Sequence, residues 1–275
     1  MERIFTRGLM SFLLSVDEHG RGTEHGSGGI KEYVMHHVKD QVIYPLHIGN
    51  FDISITKHVL MLWIAAAILI IFIPLAFRSK TLIPKGPANL IEAIVVYLKE
   101  TIIDPYLGSE AFKYAPYLLT AFFFIITCNL LGLIPMGATA TGNISVTISL
   151  ALSTLFLVQF SNILKNGFKG YIKSFVPSGI PSVMVPLIFA VEFLGMLTKH
   201  VALAIRLFAN MFAGHLVIFT IMGLIFLFKN IFIAPFPILG IVFVSLLELL
   251  IALIQAYIFT ILSAVFIGMG LSSHH

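Results

Sequence analysis

Long apolar segments alternate with short polar ones along this chain, and the apolar segments have the length of membrane helices. They cover about residues 59–77, 117–134, 144–164, 183–228 and 236–270. About 20 apolar residues are enough for a helix to cross a bilayer. The pattern therefore predicts an all-α integral membrane protein with five spanning helices, in a membrane domain at residues 58–270.

Residues 81–116 have a different pattern, because charged side chains are mixed with apolar ones. The apolar positions recur at helical spacing, at Leu90, Ile91, Ile94, Val95 and Leu98. A helix with one apolar stripe and one charged face lies along a membrane surface rather than across it. We therefore expect an amphipathic surface helix at about residues 86–105.

The last two apolar segments are too long to cross a membrane upright. At 1.5 Å per residue they would form helices of about 65 and 50 Å, whereas the hydrocarbon core is about 30 Å thick. Turn-forming residues separate them, first Lys229-Asn230 and then Pro235-Phe-Pro237. The pattern indicates two strongly tilted helices that form a long antiparallel hairpin.

Residues 1–57 are predicted to form a polar extension outside the membrane. They hold seven of the 13 acidic residues and six of the 17 basic ones. Four histidines, at His19, His25, His36 and His37, could suggest metal binding, but their spacing matches no strong site and a solvated tail is the preferred interpretation. Residues 9–14 make a shorter apolar core than a signal peptide usually has, and no small-residue cleavage site clearly follows.

The composition supports the assignment to a membrane, and the positions of the basic residues predict how the chain is oriented in it. The chain is 58% hydrophobic and 11% charged, with a mean hydropathy of +0.99, whereas soluble domains carry about 25% charged residues. Basic residues cluster at 78–113 and 165–173 and are missing from 135–143. By the positive-inside rule the N-terminus lies outside and the C-terminus lies in the cytoplasm. Cys128 is the only cysteine, so no disulfide can form within the chain.

Arg206 is the most informative charged residue. It lies within a long apolar segment, too far from either end to reach the interface comfortably. A guanidinium stays protonated, and a charge in the hydrocarbon layer usually marks function or a buried pair. The alternative is a structural ion pair with Glu192, which lies on the same helical stripe. Asn210 follows one turn later, and His215 should face the opposite side of the helix.

The second helix of the hairpin carries Glu248 and Gln255 on one face. In an antiparallel hairpin that turns near residue 231, Gln255 lies level with Arg206 and Glu248 lies level with His215. A histidine facing a carboxylate within a membrane is a pair that can pass protons. The alternative is a static pair that only joins the two helices.

The residues around Arg206 resemble the signature of subunit a of F-type ATP synthases. The resemblance rests on Arg206-Leu-Phe-Ala-Asn-Met, on Ala213-Gly-His and on the later Leu253-Ile-Gln-Ala-Tyr-Ile-Phe, and it covers roughly residues 40–275. His215 precedes Glu248 here, as in the mitochondrial arrangement, whereas some bacterial members have an acid first and a histidine second.

The resemblance implies a proton-translocating stator subunit of the Fo (CF(0)) rotary motor, which serves hydrogen ion transport and ATP synthesis. Arg206 would face the c-subunit ring and separate two aqueous half-channels. Gln255 would lie beside it, and Glu192, Asn210, His215 and Glu248 would line or adjoin the channels. The implied partners are the c ring, the b subunits of the peripheral stalk, the rest of the complex and membrane lipid.

No cofactor, metal or nucleic acid is expected, because the sequence contains no Walker loop, dinucleotide fingerprint or metal-ligand cluster. The nucleotide chemistry would therefore occur on other subunits, and this chain would not itself be an enzyme. We expect a multi-pass protein of a bacterial inner membrane. Two alternatives remain: a secondary transporter or ion channel in which Arg206 binds an anion, and a purely structural assembly subunit.

Overall fold

The computed structural model describes residues 42–44, 47–48, 51–52, 54–77, 86–134, 139–175, 181, 184–228 and 235–271. The expectations for residues 1–40, for the bases Arg78 and Lys80 and for the turn residues Lys229 and Asn230 lie outside these ranges.

Helices account for nearly all of the described residues, and five of them are long and apolar enough to cross a membrane. The predicted all-α membrane class is therefore confirmed. Strands occur in the described part of the chain only before residue 57, as two short antiparallel pairs. Strand β1 (Val42–Tyr44) pairs with β4 (Ile55–Thr56), and β2 (His47–Ile48) pairs with β3 (Phe51–Asp52). The sequence analysis did not predict these strands.

Helix α1 (Lys57–Ala76) is the simplest membrane helix. Ala65 is its only buried residue, and large apolar side chains such as Ile70 and Ile71 are exposed. Exposed apolar surface of this extent is unfavourable in water and is what a lipid-facing helix requires.

The segment that follows is more continuous than the sequence pattern indicated. Helix α2 (Pro87–Leu98) begins with proline, which suits a first helical position because its missing N–H needs no partner there. A π-helical turn (Lys99–Ile103), the short helix α3 (Asp104–Leu107) and a 3-10 turn (Gly108–Glu110) lead into α4 (Ala111–Gly132). The amphipathic stretch and the second span thus form one nearly unbroken helical run.

Three long helices complete the membrane domain. A 3-10 turn (Ala140–Gly142) precedes α5 (Ile144–Ser174), which bends at Gly167, where φ is 68°. Residues other than glycine rarely adopt this left-handed conformation. Helix α6 spans Val185–Phe228 and α7 spans Pro235–Leu271, with 44 and 37 residues. Pro235 and Pro237, assigned to the turn from the sequence, belong to the first turn of α7.

The described residues form two compact units. The first combines the strands and the start of α1 with residues 128–140 and 210–252. It therefore includes the later part of α6 and the earlier part of α7. The second contains residues 65–127, 141–209 and 253–275. Its core is apolar and includes the following fully buried side chains: Leu98, Ile102, Ile103, Leu118, Ile125, Leu203, Leu207, Phe259 and Ile267.

Candidate proton-transfer site

The centre of the candidate site is a contact between α6 and α7 within the first unit. Nδ1 of His215 lies 3.0 Å from Oε1 of Glu248. The Glu248 side chain is only 5% exposed and the His215 side chain is 21% exposed. The contact that the hairpin geometry predicts between these two residues is therefore present.

Oxygen atoms surround both nitrogens of the His215 ring. Nδ1 also donates to the carbonyl of Met211, at 3.0 Å. Nε2 lies 3.1 Å from the carbonyl of Gly132 and 2.9 Å from the hydroxyl of Thr139. A neutral imidazole carries one N–H, whereas a protonated ring carries two. The surroundings of His215 thus offer an acceptor to each nitrogen of the protonated ring.

Glu248 is a buried carboxylate with few partners. Among the described residues, neither of its oxygens receives a well-directed hydrogen bond, although Nδ1 of His215 lies 3.0 Å from Oε1. An ionised carboxylate in such surroundings needs a cation or a proton. His215 is the titratable group placed to supply either one, so the two residues can exchange a proton.

Two glycines make room for the site. A Cβ atom added at Gly214 would lie 2.6 Å from Oε1 of Glu248, and one added at Gly132 would overlap the side chain of Thr139. Real Cβ atoms essentially never come this close to another heavy atom. Gly214 therefore admits the carboxyl group of Glu248, and Gly132 admits the hydroxyl of Thr139.

His58 connects the start of α1 to this site. Its Nδ1 donates to the backbone carbonyl of Thr139, at 2.9 Å. Thr139 is itself 3% exposed and lies between α4 and the 3-10 turn at Ala140–Gly142. The sequence analysis missed both residues, since an uncharged threonine in a loop and a histidine at a helix start gave no periodic signal.

Two asparagines, Asn129 and Asn210, also belong to the first unit. Nδ2 of Asn129, on α4, donates to the carbonyl of Ala252 on α7, at 3.4 Å. Asn210 is half-buried, and its buried Nδ2 has no hydrogen-bond acceptor among the residues that the structure describes. The predicted site residue Asn210 thus has an amide donor that no described residue satisfies.

Arg206, Gln255 and Glu192 belong to the second unit. Arg206 and Glu192 are both exposed, and no ion pair joins them in the described part of the chain. Gln255 is 4% exposed, and its Nε2 has no acceptor among the described residues. The structural ion pair of Arg206 and Glu192 is therefore not formed. That Gln255 lies level with Arg206 stays a prediction.

A buried histidine, which the sequence analysis did not single out, lies earlier on α6. His200 is 3% exposed, its Nδ1 donates to the carbonyl of Met196 at 2.9 Å, and its ring centroid is 4.9 Å from that of Phe266. Its Nε2 has no hydrogen-bond partner within the described ranges.

Comparison with known proteins gives a consistent result. The family model described as ATP synthase A chain matches residues 59–268. The chain is similar to ATP synthase subunit a of Chlorobium phaeobacteroides (strain DSM 266 / SMG 266 / 2430), with 42% identity over 93% of this chain and 79% of that protein. It is also similar to ATP synthase subunit a of Chloroherpeton thalassium, with 46% identity over 82% of this chain and 69% of that protein. A third relative is ATP synthase subunit a of Anaeromyxobacter dehalogenans, with 39% identity over 94% of this chain and 78% of that protein.

Proposed function

Because this chain belongs to the ATP synthase A chain family, we propose that it is the proton-conducting stator subunit of the Fo motor, placed against a ring of c subunits. The observation that carries the proposal is the charge of Arg206, which is exposed in the middle of an apolar helix. The five described helices that could cross a membrane and the match to an ATP synthase family both support a role in ion transport for ATP synthesis.

Arg206 requires a partner that the described part of this chain does not supply. Its guanidinium is always charged, and a cation in contact with lipid costs at least about 2.5 kcal/mol. In the described part of the chain it forms no ion pair. A carboxylate on a neighbouring c subunit would neutralise it. We therefore assign to Arg206 the role of attracting each c carboxylate as it loses its proton.

The proton would reach and leave the c carboxylates through two aqueous half-channels. The contact between His215 and Glu248, in which the carboxylate is buried, supports proton exchange between them, and this pair would line one half-channel. Glu192 comes before Arg206 along α6 and would serve the other. Asn210 and Gln255, whose amide groups lack acceptors within the described chain, would bind water or a c subunit close to Arg206.

The electrostatics explain how such a path drives rotation. A c carboxylate is protonated while it faces lipid, because a bare charge there is costly. Near Arg206 it is stabilised as the anion, since an opposite charge favours the ionised form. The fixed charge also prevents a proton from passing directly between the half-channels. The membrane potential contributes about 2.3 kcal/mol per charge per 100 mV.

The remaining assignments follow from this role. The chain would carry out no nucleotide chemistry, which would occur on other subunits. It would contact the c ring, the b subunits of the peripheral stalk and membrane lipid. Its bacterial relatives and its pattern of basic residues favour a bacterial inner membrane, with the N-terminus outside and the C-terminus in the cytoplasm.

ATP-driven acidification of inverted membrane vesicles tests the proposal. The comparison is between the unaltered protein, Arg206→Ala and Lys199→Ala, at equal amounts of assembled complex. Lys199 is the matched control, because it is an exposed base on the same helix two turns earlier. We expect Arg206→Ala to abolish pumping and Lys199→Ala to retain it. Pumping that persists in Arg206→Ala would overturn the proposal, and equal loss in both variants would contradict a specific role for Arg206.

A further inference from the structure

We propose that the hydroxyl of Thr139 is the switchable hydrogen-bond partner that allows His215 to change its protonation state, and that His58 holds this hydroxyl in position from the start of α1. The inference rests on the proposed function, since it concerns how the buried pair conducts protons. It adds two residues, His58 and Thr139, that neither the sequence nor the family comparison assigns.

The chemistry of the atoms around Nε2 of His215 leads to this assignment. Two oxygens face this nitrogen, the carbonyl of Gly132 at 3.1 Å and the hydroxyl of Thr139 at 2.9 Å. A carbonyl can only accept a hydrogen bond, whereas a hydroxyl can donate or accept. When Nε2 carries a proton, both oxygens can accept from it. When Nε2 is bare, only Thr139 can donate to it.

The same comparison on the other side of the ring shows why Nε2 is the critical atom. Nδ1 faces the carbonyl of Met211 and the carboxyl group of Glu248. Glu248 can donate to a bare Nδ1 only when it is itself protonated, that is, after it has received the proton. Without the Thr139 hydroxyl, a neutral His215 that keeps its proton on Nδ1 would have an unprotonated Nε2 that faces only the carbonyl of Gly132, which cannot donate a hydrogen bond to it. An unsatisfied buried polar group is unfavourable, so proton release from Nε2 would be slowed.

Thr139 is held in this position from two directions. His58 donates to its backbone carbonyl, at 2.9 Å, and the absence of a side chain at Gly132 leaves the space that its hydroxyl occupies. Because Thr139 lies in a connection between helices rather than within one, its backbone needs such a tie to stay in register with His215. His58 acts through Thr139 and is a positioning residue.

Other titratable groups near His215 do not replace this role. Within the described first unit, Glu248 on α7 and His58 at the start of α1 are the titratable side chains joined to the site by the contacts above. Glu248 contacts Nδ1 of His215, and Nδ1 of His58 donates to the backbone carbonyl of Thr139. Among the contacts described above, the hydroxyl of Thr139 is the side-chain group that faces Nε2 and can adapt to both of its states.

Passive proton flux through Fo in vesicles stripped of the catalytic sector tests the inference. Thr139→Val keeps the shape of the side chain but removes the hydroxyl, and we expect it to lower the flux about tenfold. Thr139→Ser restores a hydroxyl and should recover more than half of the flux. Thr220→Val is the control, because among the described residues the Thr220 hydroxyl bonds to Leu216 of its own helix, at 2.7 Å, and its flux should match that of the unaltered protein.

His58 is tested in the same assay. His58→Asn keeps an N–H donor near the backbone of Thr139, whereas His58→Ala removes it. We expect the alanine variant to lose several-fold more flux than the asparagine variant at equal assembly. Equal flux in the two variants would overturn the positioning role of His58, and a flux in Thr139→Val equal to that of Thr139→Ser would overturn the role of the hydroxyl.

Two further measurements separate this inference from the proposed function. Glu248→Gln is measured by passive flux, whereas Arg206→Ala is measured by ATP-driven acidification, because removing the charge that separates the half-channels can open a passive leak. If Arg206→Ala abolishes pumping and Glu248→Gln lowers the passive flux while Thr139→Val conducts normally, the inference fails and the proposed function stands. If Arg206→Ala still pumps protons, the proposed function itself fails.

Discussion

The carboxyl group of Glu248 lies against the backbone of Gly214, so closely that a Cβ at position 214 would be 2.6 Å from Oε1 and 2.8 Å from the carboxyl carbon. The small residue is therefore a condition for the contact between Glu248 and His215. Glycine in the interior of a helix is unfavourable by about 1 kcal/mol relative to alanine. Its presence here is explained by the site rather than by helix stability.

Replacing Gly214 with alanine should displace Glu248 and impair proton conduction. A misplacement of about 1 Å in a reacting group can lower a rate about 100-fold, and we expect a loss of at least about tenfold in passive proton flux through Fo. The matched control is Gly195→Ala on the same helix, because a Cβ at Gly195 meets nothing within 4 Å. Equal flux in the two variants would contradict the idea that Gly214 positions the carboxyl group.

The class of fold and the contact at the centre of the site could be predicted from the sequence. Apolar runs of sufficient length determine membrane helices, and the spacing of His215 and Glu248 about the turn determined which residues meet. These are properties of regular helices, whose geometry is fixed by residue number. The two side chains that this spacing paired lie 3.0 Å apart.

The parts that could not be predicted depend on irregular backbone. Thr139 lies outside the helices, so no helical period places its hydroxyl beside His215, and His58 contacts Thr139 through its backbone carbonyl. The strands at residues 42–56 are two or three residues long, too short for an alternating pattern to be recognised. The continuity of α2 with α4 was missed because the charges there resembled those of an isolated surface helix.

Gly268 should be required for the stability of the second unit. A Cβ at this position would lie 2.5 Å from the carbonyl oxygen of Tyr106, and backbone cannot move aside as a flexible side chain can. Overpacking of this kind typically costs about 1–3 kcal/mol. We expect Gly268→Ala to lower the thermal stability of the assembled complex in detergent. Gly240→Ala, whose Cβ would meet Ile221 only at an ordinary 3.9 Å, should not; a similar decrease in both variants would refute the prediction.

The ion pair between Lys165 and Glu110 should contribute little to stability. The two groups are 3.8 Å apart, and their side chains are 42% and 33% exposed. Exposed ion pairs typically contribute about 0–1 kcal/mol. Lys165→Met should therefore change the thermal stability of the complex by no more than about 2 °C, a small shift for a chain of this size. A clearly larger decrease, which disappears when Glu110 is also replaced by glutamine, would show that the pair is a significant stabilising contact.

Arg206→Lys should fail to restore proton pumping even though it keeps the formal charge. A lysine ammonium loses its proton readily when it is desolvated, whereas a guanidinium does not. A neutral lysine would neither attract a c carboxylate nor block direct passage of protons. We expect ATP-driven pumping in inverted vesicles to remain near the level of Arg206→Ala. Pumping close to that of the unaltered protein would mean that any cation is sufficient at this position.

Glu248→Gln should slow proton flow without breaking the contact between α6 and α7. Glutamine has nearly the same shape as glutamate and can still accept a hydrogen bond from His215, but it cannot take up a proton in the working pH range. Passive proton flux through Fo should therefore fall at least about tenfold, while the amount of assembled complex stays the same. A static pair that only joins the two helices predicts the opposite, namely unchanged flux. Glu248→Asp distinguishes loss of the acid from loss of fit: it keeps a titratable carboxyl on a shorter side chain, and it should conduct better than Glu248→Gln because the proton can still be exchanged with His215.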